Sequence, residues 1–203
     1  MAGFIQRFLR RVRYGAPIVV VSGLPRSGTS MMMKMLGAGG LELATDEIRS
    51  ADEDNPKGYF ELEKVKELDK TKDKNWVAGY RGKVIKVISF LLMDLPPGSA
   101  YKVVFMRRNL DEVIASQNKM LDRRGEERGS DDEKMIGLYN THLRKVEFLL
   151  RHRKNYESLD VDYKQALEQP REYAERVRRF LGMPLDVERM AEVVDPELYR
   201  NRR

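Results

Sequence analysis

Short apolar runs alternate along this chain with longer segments whose apolar residues recur at helical spacing. Four runs have the length and β-branched character of strands, namely residues 18–21, 83–89, 101–106 and 159–163. The first of them is apolar at every position, which is typical of a strand buried on both faces of a parallel sheet. The pattern therefore predicts a sheet whose strands are separated in sequence by helices.

Helices are predicted between and after these strands. One begins at Thr29 or Ser30 and stops at the glycines that follow Leu36. A charged surface helix is predicted over 61–72, and the remaining helices are predicted over 111–121, 131–153 and 171–181. Alternation of strand and helix indicates an α/β fold of three layers, with a central parallel sheet and helices on both faces. In such sheets ligands bind at the carboxyl ends of the strands, so we expect the site beside the first turn.

A length of 203 residues favours a single domain over 1–203. Residues 1–15 are predicted to form a basic N-terminal helix, and residues 184–203 a basic C-terminal segment. The polar stretches 41–62 and 122–130 read as loops, because turn-forming and charged residues dominate them.

Composition narrows the function classes. Apolar residues make up 41% of the chain and charged residues 34%, which indicates a globular protein and not a disordered one. The chain has no cysteine and only two histidines, which excludes disulfides, thiolate metal sites and an all-histidine zinc site. A net charge of +6 suits an anionic ligand. No nucleic-acid motif and no apolar run of membrane-spanning length is present, so we expect no nucleic-acid partner, no stable membrane insertion and a cytoplasmic location.

The segment Gly23–Ser30 joins the first strand to the first helix and carries the strongest chemical signal. In a strand–glycine-rich turn–helix arrangement, successive backbone N–H groups and the helix N-terminus create a site for a phosphate-like anion. The spacing imitates the P-loop pattern G-x-x-x-x-G-K-[ST], and Arg26 adds a charge inside the turn. Thr29, however, occupies the position of the lysine that normally reaches the β- and γ-phosphates.

Ordinary ATP chemistry is disfavoured for a second reason. Such enzymes hold magnesium with an aspartate at the end of another strand. The best match is Asp94, whose neighbours predict a plain turn, and the third strand ends instead in Arg107 and Arg108. We therefore predict no metal site.

Two motifs together identify a resemblance. Pro25-Arg26-Ser27-Gly28-Thr29-Ser30 follows the first strand, and Arg108-Asn109 closes the third, with Ser116 eight positions after Arg108. These residues resemble the two nucleotide-binding motifs of the P-loop sulfotransferase superfamily, bacterial type. The resemblance implies a P-loop-like fold and the co-substrate 3′-phosphoadenosine 5′-phosphosulfate. It implies that residues 25–30 hold the 5′-phosphosulfate, that Arg108 and Ser116 hold the 3′-phosphate, and that no metal is needed because Arg26 carries charge at the reacting end.

The resemblance extends to two later segments. Tyr163 follows the fourth strand, where family members commonly have a tyrosine near the adenine; a partly buried structural tyrosine is the equal alternative. Arg200 and Arg202 could reach the 3′-phosphate, although the family's usual basic pattern is not matched there.

The group that takes the acceptor's proton is left open by the sequence. Small cytosolic members of the superfamily use a histidine two positions after a lysine on the second strand, but here Lys86 is followed by Val87 and Ile88. His142 and His152 lie on a predicted long helix and are interpreted as surface positions.

Other branches of the superfamily use a glutamate beyond the loop. Glu47 lies 21 residues after Arg26 and is the first candidate. Glu61 is the second, either as base or as a residue that orients the acceptor, and Asp46 could share the role. Each could also be a plain solvated carboxylate.

The expected acceptor is a small molecule or a carbohydrate. The only tryptophan, Trp76, could stack on a sugar, but a core position is the better prediction. Two other hypotheses remain: a P-loop nucleotide kinase, and a non-catalytic nucleotide-binding module on the same fold. The oligomeric state is not predicted.

Overall fold

The computed structural model describes residues 10–46, 60–127 and 131–195. Its sheet consists of β1 (Ile18–Gly23), β2 (Val84–Lys86), β3 (Tyr101–Arg107) and β4 (Tyr156–Asp162). All neighbouring strands are parallel, in the order β2-β1-β3-β4. Because β1 lies between β2 and β3, the loop that follows it opens at the middle of the sheet's carboxyl edge.

Seven helices lie wholly within the described ranges: α1 (Thr29–Ala38), α2 (Glu63–Lys66), α3 (Leu110–Arg124), α4 (Asp132–His152), α5 (Tyr163–Glu168), α6 (Pro170–Leu181) and α7 (Val187–Glu192). Two 3₁₀ helices, Asn75–Tyr80 and Ser89–Asp94, flank β2. Residues 10–14 are also helical, so this part of the predicted N-terminal helix is present; residues 1–9 and 196–203 lie outside the described ranges.

The two faces of the sheet are covered by separate apolar cores. Val19 and Val21 pack with α1, α6 and α7 on one face. Ile18 and Val20 pack with the 3₁₀ helices and the end of α4 on the other. The alternation of adjacent β1 side chains between the cores explains why the whole strand is apolar. The predicted three-layer α/β fold is confirmed.

Trp76 belongs to the second core. It is half-buried, and its ring meets Tyr80 edge to face at 6.0 Å between centroids. The prediction of a core position for this tryptophan is confirmed.

The predicted charged helix over 61–72 is wrong beyond its first turn, because only Glu63–Lys66 is α-helical. Val65 and Leu68 are buried, and the rest of the segment is charged and mostly exposed. Two buried apolar residues do not make a continuous apolar face, so further helical turns have nothing to pack with against the sheet.

Several element boundaries also differ from prediction. β2 stops at Lys86, where its register with Val21 ends, and the chain then turns into a 3₁₀ helix at Ser89. α3 continues to Arg124 and ends at Gly125, whose φ of 65° closes the helix. β4 begins at Tyr156, and Tyr163 opens α5, one of two short helices that the apolar pattern does not reveal.

None of the helices in the described ranges combines the length and apolar character that a membrane crossing requires.

Candidate active site

The turn between β1 and α1 forms a compact backbone cradle. The N–H and the hydroxyl of Ser27 both donate to the carbonyl of Leu24, at 3.2 and 2.7 Å. Gly28 is the N-cap of α1, and no side chain caps this helix. The backbone N–H groups of the first helical turn are thus left without a side-chain cap, as an anion site at a helix N-terminus requires.

Two glycines of the cradle have no room for a side chain. A Cβ on Gly23 would lie 2.8 Å from the carbonyl oxygen of Met106 on β3. A Cβ on Gly28, whose φ is 95°, would lie 2.8 Å from Cε2 of Tyr163 and closer still to Cδ2. Residues of β3 and α5 pack directly against the cradle, so its backbone conformation requires glycine at both positions.

Arg26 lies between the glycines and has a φ of 68°, an uncommon value for a residue with a side chain. Its Nε donates to Oγ of Ser116 on α3 at 3.0 Å. The sequence assigned these two residues to opposite ends of the nucleotide, whereas the structure brings their side chains into contact. Strained backbone of this kind is commonly retained at binding sites.

Arg108 ties the end of β3 to the cradle. Its Nη1 donates to the carbonyl oxygen of Arg26 at 2.9 Å, and its Nε donates to Oε2 of Glu112 at 3.0 Å. The guanidinium carbon lies 4.6 Å from the centre of the Tyr163 ring. Only 8% of the Arg108 side chain is exposed. An ion pair with Glu112 is therefore present, but it is buried and built into the loop rather than a surface pair.

Tyr163 is buried beneath Gly28 and Arg108. Burial raises the pKa of its hydroxyl, and the nearby charge of Arg108 opposes this shift. The interpretation as a buried tyrosine is confirmed. A place beside the adenine stays a prediction.

A second cationic group lies where β2 faces α1. Lys86 is 8% exposed, and its Nζ lies 3.2 Å from Oγ of Ser30 and 3.5 Å from Oε1 of Glu61. The other oxygen of Glu61 lies 3.0 Å from Nζ of Lys66. Glu61 is thus held between two lysines, and one of them contacts the cradle.

The remaining predicted carboxylates have different positions. The Asp46 side chain accepts a hydrogen bond of 2.6 Å from the backbone N–H of Glu63, and the Asp46 N–H donates to the carbonyl of Glu61. Asp46 therefore supports the segment that presents Glu61. Glu47 lies outside the described residues.

Asp94 is far from the cradle along the sheet. Asp94 ends a 3₁₀ helix and lies 3.4 Å from Nζ of Lys74. Two residues later, the carbonyl of Pro96 accepts a hydrogen bond from the hydroxyl of Tyr101 at the start of β3. Strands begin at the edge opposite to the loop, so Asp94 is unsuited to a metal bound there. No group of three or more histidine or acidic side chains that could hold a metal occurs within the described ranges.

A group of side chains on the α4 side of the carboxyl edge was not predicted from the sequence. The interpretation of His142 as a plain surface residue is wrong, because its ring is half-buried and Nε2 lies 2.9 Å from Oγ of the fully buried Ser89. Tyr139, three residues earlier, packs in a cluster with Leu24 of the cradle. The sequence does contain a signal for this group, namely the helical spacing that places Tyr139, His142 and Val146 on one face of α4. His152 is exposed as expected.

Comparison with known protein sequences identifies the family of the chain. Residues 16–199 match the family described as "Sulfotransferase domain". No curated protein sequence matches the chain significantly.

Two solved structures illustrate the fold. The sulfotransferase domain from the curacin biosynthetic pathway aligns with a TM-score of 0.55 at 14% identity, covering 89% of this chain and 78% of that one. The sulfotransferase domain from the Synechococcus PCC 7002 olefin synthase aligns with a TM-score of 0.54 at 17% identity, covering 94% and 84%. At these identities the likeness shows the shared fold.

Proposed function

Because the chain belongs to the sulfotransferase family, we propose that it transfers a sulfuryl group from 3′-phosphoadenosine 5′-phosphosulfate to a hydroxyl or amine of an acceptor. The observation that supports this donor is the contact between the cradle and the Arg108–Ser116 pair. Arg108 donates to the backbone of Arg26, and Arg26 donates to Ser116. One continuous cationic site thus joins the loop after β1 to the end of β3, as a ligand with separated 5′ and 3′ anionic groups requires.

The residues of this site fit the two ends of such a nucleotide. Residues 25–30 offer backbone N–H groups and the hydroxyls of Thr29 and Ser30 to the 5′ end. Arg108 offers a planar fork and Ser116 a hydroxyl to the 3′-phosphate. Bound there, the donor supplies an activated sulfuryl group whose leaving group is a phosphate.

We assign the cation at the reacting end to Lys86, together with Arg26. Lys86 contacts Ser30, the last residue of the phosphate-binding motif, and burial strengthens the field of its charge. Glu61 then acts by holding the Lys86 ammonium in place, since its two carboxylate oxygens already contact two lysines. Glu47 is the base predicted from the sequence, and none of the contacts among the described residues bears on it.

Nucleotide binding tests the donor directly. We expect 3′-phosphoadenosine 5′-phosphate to raise the thermal unfolding temperature at micromolar concentration, with ADP and ATP giving little or no shift, because only the first carries a 3′-phosphate for Arg108 and Ser116. Calorimetric titration of the same three nucleotides at one salt concentration gives the affinities. Magnesium-dependent binding of ATP that is tighter than that of the 3′-phosphorylated nucleotide would instead establish the kinase alternative.

Substitution of Glu61 separates its two assigned roles. The Glu61→Gln variant keeps an oxygen near Lys86 but loses the negative charge. If Glu61 positions Lys86, we expect kcat to fall about tenfold, whereas the loss of a general base lowers kcat about a hundredfold or more. Initial rates at saturating donor measure the difference. Glu63→Gln is the matched control, because Glu63 also pairs with Lys66 and lies two residues from Glu61 in the same segment.

A fall of more than a hundredfold in Glu61→Gln, with nucleotide affinity unchanged, would assign the base to Glu61 and contradict the positioning role.

A further inference from the structure

An exposed aromatic surface lies at the carboxyl edge of the sheet, on the side away from α1. Phe90 is 41% exposed and stacks on the His142 ring, with 3.9 Å between centroids and 16° between planes. Ile88 and Leu138 are also exposed, and Leu138 lies one helical turn before His142. We call Ile88, Phe90, Leu138 and His142 the aromatic wall.

The wall is joined to the donor site by packing and hydrogen bonds. Ser89 and Phe90 begin the 3₁₀ helix that follows β2, the strand that ends in Lys86. Tyr139, on the wall's own helix, packs near Leu24 of the cradle and donates to Gln117, the neighbour of Ser116. The wall therefore flanks the same edge of the sheet at which the donor's sulfuryl group is proposed to lie.

His142 has the protonation chemistry that an acceptor site needs. Burial lowers the pKa of its imidazole, and the positive charge of Lys145 on the next turn lowers it further, so the neutral ring is favoured near pH 7. In the tautomer that donates from Nε2 to Ser89, Nδ1 carries the lone pair. No described residue makes a hydrogen bond to Nδ1.

The apolar side chains exposed at this edge favour an acceptor with an apolar body. Few large apolar side chains are exposed in the described part of the chain, and Ile88, Phe90 and Leu138 are three of them. Ile88 and Phe90 flank Ser89, which contacts His142, and Leu138 lies one helical turn before His142. A flat aromatic ring can stack on Phe90 and contact the exposed side chains of Ile88 and Leu138. A sugar carries hydroxyls around the edge of its ring, so it buries less apolar area on the same surface.

Resting on the proposed function and extending it, we propose that the aromatic wall is the acceptor subsite, that it takes alcohols whose hydroxyl is carried on an aromatic body, and that His142 accepts the hydroxyl proton. In the transfer, the acceptor oxygen forms a bond to sulfur while the bond between sulfur and the donor's phosphate oxygen breaks. The electron pair of the broken bond stays on the phosphate, and the hydroxyl proton passes to Nδ1 of His142. This assigns the proton-accepting role to a helix that the sequence motifs of the superfamily do not include.

The test measures binding and turnover separately, with 2-phenylethanol as the aromatic probe and glucose as the polar one. Protein saturated with 3′-phosphoadenosine 5′-phosphate is titrated with each probe, and binding is followed by ligand-observed NMR. We expect 2-phenylethanol to bind, Phe90→Ala to weaken it about tenfold, and glucose not to bind. With the sulfated donor, we expect His142→Gln to lower kcat about a hundredfold while the KM for 2-phenylethanol changes little.

The chain offers a matched control on the same helix. Phe148 stacks on His152 with 4.0 Å between centroids and 22° between planes, also exposed, but near the end of α4 that leads into the start of β4. Phe148→Ala and His152→Gln are expected to leave probe binding and turnover unchanged.

Three results would overturn the inference: glucose binding without 2-phenylethanol binding, equal effects of the Phe90 and Phe148 variants, or full turnover in His142→Gln together with loss of turnover in Glu47→Gln. Failure of the wild-type protein to bind 3′-phosphoadenosine 5′-phosphate would instead contradict the proposed function, and is seen before any acceptor is added.

Discussion

Replacing Arg108 with alanine is expected to weaken the binding of 3′-phosphoadenosine 5′-phosphate about a thousandfold, since two charge-assisted hydrogen bonds to the 3′-phosphate contribute about 4 kcal/mol together. The affinity for ADP is expected to change only a few fold, because ADP has no 3′-phosphate. The substitution therefore abolishes the preference between the two nucleotides. Calorimetric titration of both nucleotides at one salt concentration measures it.

The buried pair with Glu112 requires a second variant. Removing Arg108 alone leaves the Glu112 carboxylate buried without its partner, which destabilises a fold by about 3–5 kcal/mol. The double variant Arg108→Ala/Glu112→Ala removes this charge and keeps the binding measurement interpretable if the single variant unfolds.

Arg107→Ala is the matched control for Arg108→Ala. Arg107 is the adjacent arginine, and it pairs with Glu147 and Asp160 instead of the cradle. An equal loss of nucleotide affinity in Arg107→Ala would show that general positive charge, rather than the Arg108 fork, holds the ligand.

Gly28→Ala is expected to eliminate measurable nucleotide binding and to lower the free energy of unfolding by about 3 kcal/mol, through left-handed backbone strain and overpacking together. The added Cβ meets the Tyr163 ring, which is itself covered by Arg108 and has little room to retreat. Relief of this overlap shifts the cradle, whose backbone N–H groups must converge on the anion. Urea denaturation and calorimetric titration measure the two effects.

Gly40 separates the two causes. Its φ of 100° is nearly that of Gly28, but a Cβ there meets nothing within 4 Å. Gly40→Ala should therefore cost about 1 kcal/mol from backbone strain alone and leave nucleotide binding intact.

A double-mutant cycle of Gly28→Ala with Tyr163→Ala should show a coupling of about 2 kcal/mol, since the second substitution removes the overlap. Equal stability of the Gly28→Ala and Gly40→Ala variants would contradict the close fit against Tyr163.

The parts of the site that the sequence predicted are those formed by neighbouring residues. The turn from Gly23 to Ser30 is a continuous segment, so its strand, glycines and helix start can be read directly. Arg108 lies between β3 and the N-cap of α3, and Ser116 lies in the second turn of that helix. Their spacing is local, so it can be read without knowledge of the tertiary structure. The fold class followed for the same reason, because apolar runs and helical spacing are local patterns.

Predictions failed where local pattern and tertiary contact disagreed. The charged segment 61–72 has helical spacing, but only Val65 and Leu68 find a core to pack against, and the α-helix covers Glu63–Lys66 alone. His142 has the sequence context of a surface position, yet the 3₁₀ helix after β2 covers one side of its ring.

The sequence by itself determined that this chain has an α/β fold, with a glycine-rich turn between the first strand and the first helix and an arginine–serine pair after the third strand. Each of these features depends on residues close together in the chain. Only the tertiary structure decided which side chains meet. Ser89 and His142 are 53 positions apart and Glu61 and Lys86 are 25 apart, and packing of the sheet against its helices brings each pair together. Contacts over such separations depend on how whole elements pack, and no local spacing encodes them.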